Sequence, residues 1–281
     1  MKCNLCPNLC NVDRDIKSGL CHADNDMRIS RIGKHFYEEP PISGNKGSGT
    51  IFFSGCTLDC EFCQNYEISK SKVGKVYTPY ELAKAIKELE NEGVHNINFV
   101  TPTHFSHKIR ETLDIYPPNI PIVYNTSGYE NVQIIKEMNA YVDIYLPDFK
   151  YADNSLALKY SKRKDYLKYC MEAISEMVKA KPIIMENGIM RQGVIVRHLV
   201  LPNNLENSKE VIRLFAENFN GYAILSIMSQ FTPCYKSTIL RTLKPIEYKI
   251  ILSHLEKHQI SDGYIQDLSS ANTKFIPDFE I

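Results

Sequence analysis

Gly55-Cys56-Thr57-Leu58-Asp59-Cys60-Glu61-Phe62-Cys63-Gln64-Asn65 carries three cysteines in the spacing C-x3-C-x2-C. The stretch before it, Thr50-Ile51-Phe52-Phe53-Ser54-Gly55, reads as a β-strand. In parallel α/β folds, the loops at the carboxyl ends of strands build the site. Three thiolates this close in sequence can wrap one face of an iron–sulfur cube. An ordinary [4Fe–4S] cluster takes four cysteines. No fourth cysteine is spaced nearby on the C-terminal side, so one iron is left open for an exogenous ligand, as catalytic metal sites require. Phe62 adds an aromatic face beside the third cysteine. A zinc site would need a histidine or a fourth cysteine close by.

Outward from this loop the chain alternates short apolar runs with amphipathic stretches. Thr78-Pro79-Tyr80-Glu81 opens a helix: Thr78 caps, Pro79 suits the first turn and Glu81 closes a capping box. Leu82, Ile86 and Leu89 share one face, and Gly93 ends the helix. Strands are expected at INFV, PIVYN, YVDIYL, GVIVRHLVL and YAILSIM. In YVDIYL, Val142, Ile144 and Leu146 alternate with Tyr141, Asp143 and Tyr145. Helices are expected at NVQIIKEM, around 165–180, at SKEVIRLFAENF and at IEYKIILSHLEKH. About six βα units emerge, which implies a parallel sheet with right-handed crossovers. That is fewer than the eight of a closed barrel. The expected fold is α/β, a partial (β/α)6 barrel over 46–281, preceded by a small cysteine-rich module over 1–45.

Cys3, Cys6, Cys10 and Cys21 in that module form C-x2-C-x3-C-x10-C. Four thiolates suit either zinc or a second, auxiliary [4Fe–4S] cluster, and ligand type alone does not choose between them. Seven of the nine cysteines lie in the first quarter of the 281 residues, a clustering that reads as metal ligation rather than disulfides. Acidic and basic residues balance, 33 against 33, so no basic field recommends nucleic acid. No apolar run reaches the ~20 residues of a membrane helix. MKCNLCPNLC lacks the apolar region of a signal peptide, so a cytoplasmic location is expected.

C-x3-C-x-aromatic-C after a first strand resembles the signature loop of the radical S-adenosylmethionine (SAM) superfamily, whose fold is a partial (β/α)6 barrel. The resemblance implies that Cys56, Cys60 and Cys63 hold a [4Fe–4S] cluster. Once reduced, that cluster cleaves SAM to methionine and a 5′-deoxyadenosyl radical, which abstracts hydrogen from a substrate. It also implies a reducing donor such as flavodoxin or ferredoxin. TIFFSGC…CQNYEIS, VTPTH, YNTSGY, DIYLPDFKY and VRHLVLPN resemble the pyruvate-formate-lyase-activating-enzyme-like branch nearly end to end. Asn125-Thr126-Ser127-Gly128 is similar to the activases' Thr-Asn-Gly segment, which marks Asn125 and Ser127 as SAM contacts. Asp148-Phe149-Lys150 is similar to their Asp-x-Lys segment, which implies Asp148 near the SAM ammonium and Lys150 near its carboxylate. Each would pair with an opposite charge. Arg197, on a strand similar to the activases' fifth, is implied at the ribose or carboxylate, and Phe62 near the adenine. Val100-Thr101-Pro102-Thr103-His104 departs from the activases' Gly-Gly-Glu, leaving Thr101, Thr103 or backbone carbonyls for that contact.

His104 and His107 follow the second strand and read either as substrate or acid–base groups or as loop residues. Cys234, after the sixth strand, is a candidate for a catalytic or relay role beside a packing role. Cys170 falls on a buried helix face. The substrate is a protein, a peptide or a small metabolite, with glycyl-radical activation among the options. A non-catalytic iron–sulfur or zinc protein in electron transfer or assembly is the competing class. Asp148, Lys150 and the open three-cysteine site favour catalysis.

Overall fold

The computed structural model describes residues 2–260, 262–272 and 279. Among them ten strands form one sheet. They are β1 (Arg28–His35), β2 (Ser48–Phe53), β3 (Lys75–Val76), β4 (Ile97–Val100), β5 (Ile122–Thr126), β6 (Ile144–Pro147), β7 (Ile184–Glu186), β8 (Ile189–Leu199), β9 (Ile224–Met228) and β10 (Gly263–Ile265). The helices are α1 (Pro40–Ser43), α2 (Tyr66–Ser69), α3 (Pro79–Asn91), α4 (Ser106–Ile115), α5 (Val132–Met138), α6 (Asn154–Ser161), α7 (Tyr166–Ala180), α8 (Leu205–Asn218) and α9 (Pro245–Lys257).

The strand order is β10-β9-β8-β6-β5-β4-β2-β1-β3, with β7 paired to β8. From β2 to β10 every neighbour is parallel. β1, β3 and β7 pair antiparallel. β3 and β10 lie at opposite ends of the order, so the barrel is open. β2–α3, β4–α4, β5–α5, β6–α7, β8–α8 and β9–α9 are the six βα units that the alternating pattern predicts.

The capping box forms as expected: Glu81 N donates to Thr78 Oγ1 at 3.2 Å and Thr78 N donates to Glu81 Oε2 at 2.8 Å. Leu82, Ile86 and Leu89 are buried beneath it. Strand alternation divides β8 between two environments. Val194 and Val196 join the main core, while Ile195 packs in the barrel with Ile42, Val123, Ile144, Leu146 and Met190. Ile42 comes from α1, whose carbonyl accepts from Asn96 Nδ2 at 2.7 Å where β4 begins. The barrel is therefore apolar at its base and polar toward the carboxyl ends of the strands.

The structure differs from the sequence reading in places. YVDIYL contributes only Ile144–Pro147 as strand, and all four residues are buried. A central parallel strand is covered on both faces, so the alternation seen in sequence carries no exposed side. Asp143 lies just outside it and accepts from Ile122 N at 2.8 Å. β1, β3, β10, α6 and the β7–β8 hairpin are further elements. β1 lies within 1–45 yet belongs to the same sheet as the barrel strands. No helix among the described residues is long and apolar enough to cross a membrane.

Candidate active site

The cysteine loop leaves β2 through Gly55, whose φ is +89°. A Cβ there would lie 2.6 Å from the Cys21 carbonyl oxygen, so only glycine fits. Cys56 N donates to that same carbonyl at 3.0 Å. The last residues of α6 and the turn after it fasten the loop from the other side. Asp59 N donates to Ser161 O at 3.2 Å and Glu61 N to Tyr160 O at 2.9 Å. Arg163 Nε donates to Thr57 O at 3.0 Å. Cys60 Sγ lies 2.9 Å from Ser161 Oγ, and Cys63 Sγ lies 3.3 Å from Ser69 Oγ. Burial, with the charges of Cys60 and Cys63, pushes the Cys56 thiol up to about 12. Burial also raises Cys60, against the opposing charge of Lys150. Three sulfurs thus share one neighbourhood, and bound metal would displace their protons.

A cavity of about 520 Å³ lies against this loop. Cys56, Cys60, Cys63, Phe62, Asn125, Ser127, Asp148, Lys150 and Arg197 all line it. Among the described residues no other cysteine does, which fits a cluster with three thiolate ligands and one open iron. Asp148 is the centre of a charge network. Its Oδ2 accepts from Lys150 Nζ at 2.5 Å and its Oδ1 from Arg197 Nε at 2.9 Å. Burial works to raise Asp148, but Arg197 and Lys150 outweigh it and hold the carboxyl below its usual range. Burial works to lower Lys150, and Asp148 reverses it. Arg197 also donates from NH2 to Asn125 Oδ1 at 2.6 Å and from NH1 to Glu38 Oε2 at 3.3 Å.

Glu38 is a residue that sequence reasoning missed. Asn98 Nδ2 and Asn125 Nδ2 donate to its Oε1 at 3.2 and 3.1 Å. Glu39 is buried beside it and lines the same cavity; its Oε2 has no hydrogen-bond partner among the described residues. Burial raises both carboxyls. In sequence the pair reads as part of a turn, EEPPISG, and only the antiparallel return of β1 carries it under the barrel.

Other candidates fall elsewhere. Thr101 lines the cavity at φ +59°, whereas Thr103 gives its hydroxyl to buried Glu130 at 2.5 Å. His104 does not line the cavity. It is buried behind the cysteine loop, its Nε2 lies 2.7 Å from Ser54 O, and burial pushes it down to about 3. Cys234 is half-buried, and its Sγ lies 3.3 Å from Phe62 O, behind the loop rather than in the cavity. His198 faces the helices, between Phe149 O at 2.7 Å and Ser208 Oγ at 2.8 Å. Cys3, Cys6, Cys10 and Cys21 pack against the loops at the same end. Asn8 Nδ2 donates to Thr57 O at 2.9 Å and Asn131 Nδ2 to Asn4 O at 3.3 Å. Burial pushes Cys6 up to about 12 and raises Cys21. Among the described residues no three Cys, His, Asp or Glu side chains converge on a single-ion site.

The sequence pattern of the radical SAM superfamily matches residues 50–215, more than half of the chain. The chain belongs to the radical SAM superfamily. This radical SAM enzyme is 31% identical over 276 residues to an uncharacterised protein of Methanocaldococcus jannaschii, covering 95% of this chain and 76% of that protein. Its fold is similar to SuiB of Streptococcus suis, solved bound to precursor peptide SuiA, at TM-score 0.56 and 10% identity. That match covers 77% of this chain and 48% of SuiB, so the chain spans about half of SuiB's length. It is also similar to methylornithine synthase (PylB), at TM-score 0.50 and 15% identity, over 83% of this chain and 73% of that one. Membership of the superfamily implies a [4Fe–4S] cluster and SAM.

Proposed function

We propose that Cys56, Cys60 and Cys63 hold the cluster of this radical SAM enzyme and that the charge network around Asp148 receives SAM. The observation that carries the reading is the single cavity lined both by the three cysteines and by Asn125, Ser127, Asp148, Lys150 and Arg197. When bound and reduced, such a cluster would supply the one electron that breaks the bond from the SAM sulfur to its 5′ carbon. The protein's own part is binding and orientation. Asp148 has the charge to accept hydrogen bonds from the SAM ammonium, and Lys150 has the charge to donate to its carboxylate. Arg197, held between Asp148, Asn125 and Glu38, keeps Asp148 ionised. Phe62, packed edge-on against Phe231 at 5.6 Å between ring centroids, presents an apolar surface for the adenine.

The chemistry supplied in this way would remove hydrogen from a substrate. The resemblance to the activating-enzyme-like branch supports a polypeptide donor, with formation of a glycyl radical. The fold neighbours include a protein solved with a precursor peptide and a methylornithine synthase, so the shared barrel does not choose the substrate. The experiment is anaerobic reconstitution, reduction and addition of SAM. The expected product is 5′-deoxyadenosine, and Cys60→Ala should abolish it. Cleavage retained in Cys60→Ala would contradict the ligand assignment, and its absence in the parent would remove the catalytic reading.

A further inference from the structure

We propose that the lysine-rich end of α6 and the turn that leads on to α7, extended by Lys236, are the docking surface for an acidic one-electron carrier protein that reduces the cluster. This rests on the ligand assignment to Cys56, Cys60 and Cys63. This segment, Lys159-Tyr160-Ser161-Lys162-Arg163-Lys164, is fastened to the cysteine loop through the three donors described above, from Asp59, Glu61 and Arg163. Ser161 Oγ lies 2.9 Å from the Cys60 sulfur, and Lys162 is the next residue in the chain. Lys236 reaches the same loop, its N donating to Glu61 O at 3.0 Å. An electron delivered here arrives beside a ligand sulfur.

Lys159 Nζ lies over the Tyr160 ring at 4.6 Å, Lys236 Nζ lies over the Tyr235 ring at 5.1 Å, and Lys162 Nζ donates to Lys159 O at 2.8 Å; these neutral partners leave the positive charges in place at the surface. Lys159, Lys162, Lys164 and Lys236 are exposed. None of them is in an ion pair among the described residues. Of the neighbouring carboxylates, Asp59 is paired with Lys70, whereas Glu61 and Asp165 accept only from neutral donors, Thr238 N at 2.9 Å and the Tyr129 hydroxyl at 2.8 Å, so Lys159, Lys162, Arg163, Lys164 and Lys236 still outnumber them. The chain as a whole is neutral, so this is a local concentration of positive charge. A patch of this kind steers an oppositely charged partner into a small, fast-exchanging complex. The step balances simply: the carrier is oxidised by one electron, the cluster is reduced from the 2+ to the 1+ state, and no proton or group moves.

The test uses the reconstituted holoenzyme, with the hydroquinone of an acidic flavodoxin as probe, and follows bleaching of the cluster by stopped-flow absorbance. In Lys159→Glu/Lys164→Glu/Lys236→Glu the flavodoxin-driven rate should fall by about tenfold, and raised salt should slow the parent similarly. Reduction by dithionite should be equal in both proteins. Oxidised flavodoxin should also bind the variant more weakly in calorimetric titration. Lys164→Glu alone, the smallest change, should move both readouts the same way. A flavodoxin rate and affinity indifferent to charge reversal and to salt would overturn the surface. A parent that takes up no dithionite-reducible cluster would instead overturn the ligand assignment, and the proposal with it.

Discussion

Asp148 pairs with two cations at once, and that makes it the most consequential single side chain in the cavity. Lys150 and Arg197 both reach it, and all three are largely buried. Removing one member of a buried charge group leaves its partners unpaired, which costs more than the pair itself contributes. Asp148→Asn should therefore lower stability by about 3 kcal/mol, with Arg197 retaining only Glu38 as an ion-pair partner. SAM affinity should fall in the same variant, since two cations would then face the cofactor's ammonium. Equilibrium denaturation and SAM titration measure the two effects separately. An unchanged denaturation midpoint would show that the network is not coupled as the distances imply.

At the scale of elements, the junction between β2 and the cysteine loop leaves no room for a side chain. Gly55 combines φ +89° with the Cys21 carbonyl 2.6 Å from where a Cβ would lie. Gly188, in the β7–β8 turn, has φ +79° but nothing within 4 Å of that position. The two glycines separate backbone strain from collision. Gly188→Ala should cost about 1 kcal/mol, the penalty of a left-handed residue. Gly55→Ala should cost clearly more, and it should also lower the iron bound per chain after reconstitution, because Cys56 loses its anchor on Cys21. Iron content and denaturation midpoints of both variants are the measurement. Equal losses in the two would mean that the contact with Cys21 carries no weight.

At the scale of the whole molecule, Glu130 ties loops from two strands together under the N-terminal segment. Burial pushes its carboxyl from 4.5 to about 7, although Thr103 and Thr126 both donate to it. The folded state therefore holds a proton more tightly than the unfolded state does. The sign follows: stability is highest below about pH 4.5 and is lost as pH rises to about 7, by roughly 3 kcal/mol for a shift of this size. Other groups titrate too, so the measurement is a difference. Unfolding free energies of Glu130→Gln and the parent should diverge progressively from about pH 5 to pH 7, with the variant the less pH-dependent. Parallel curves would place Glu130 in a more polar setting than its burial indicates.

The sequence by itself determined membership of the superfamily, the proposed cluster loop and the repeating architecture. C-x3-C-x2-C after a strand is a local signal, and βα alternation is periodic, so both survive without a structure. The cap at Thr78 was legible for the same reason. The Asn187-Gly188 hairpin was legible in principle, since an Asn-Gly pair favours that turn, but its flanks PIIME and IMRQ show no clean alternation. Only the tertiary structure decided which distant residues meet. Glu38 lies 159 positions from Arg197 and 87 from Asn125, separations at which no periodicity speaks. β1 returns antiparallel beside β2 and delivers Glu38 and Glu39 to the barrel interior. His104 failed as a cavity residue for a related reason. A histidine after a strand points where packing allows, and Ser54 and the cysteine loop had already claimed that space.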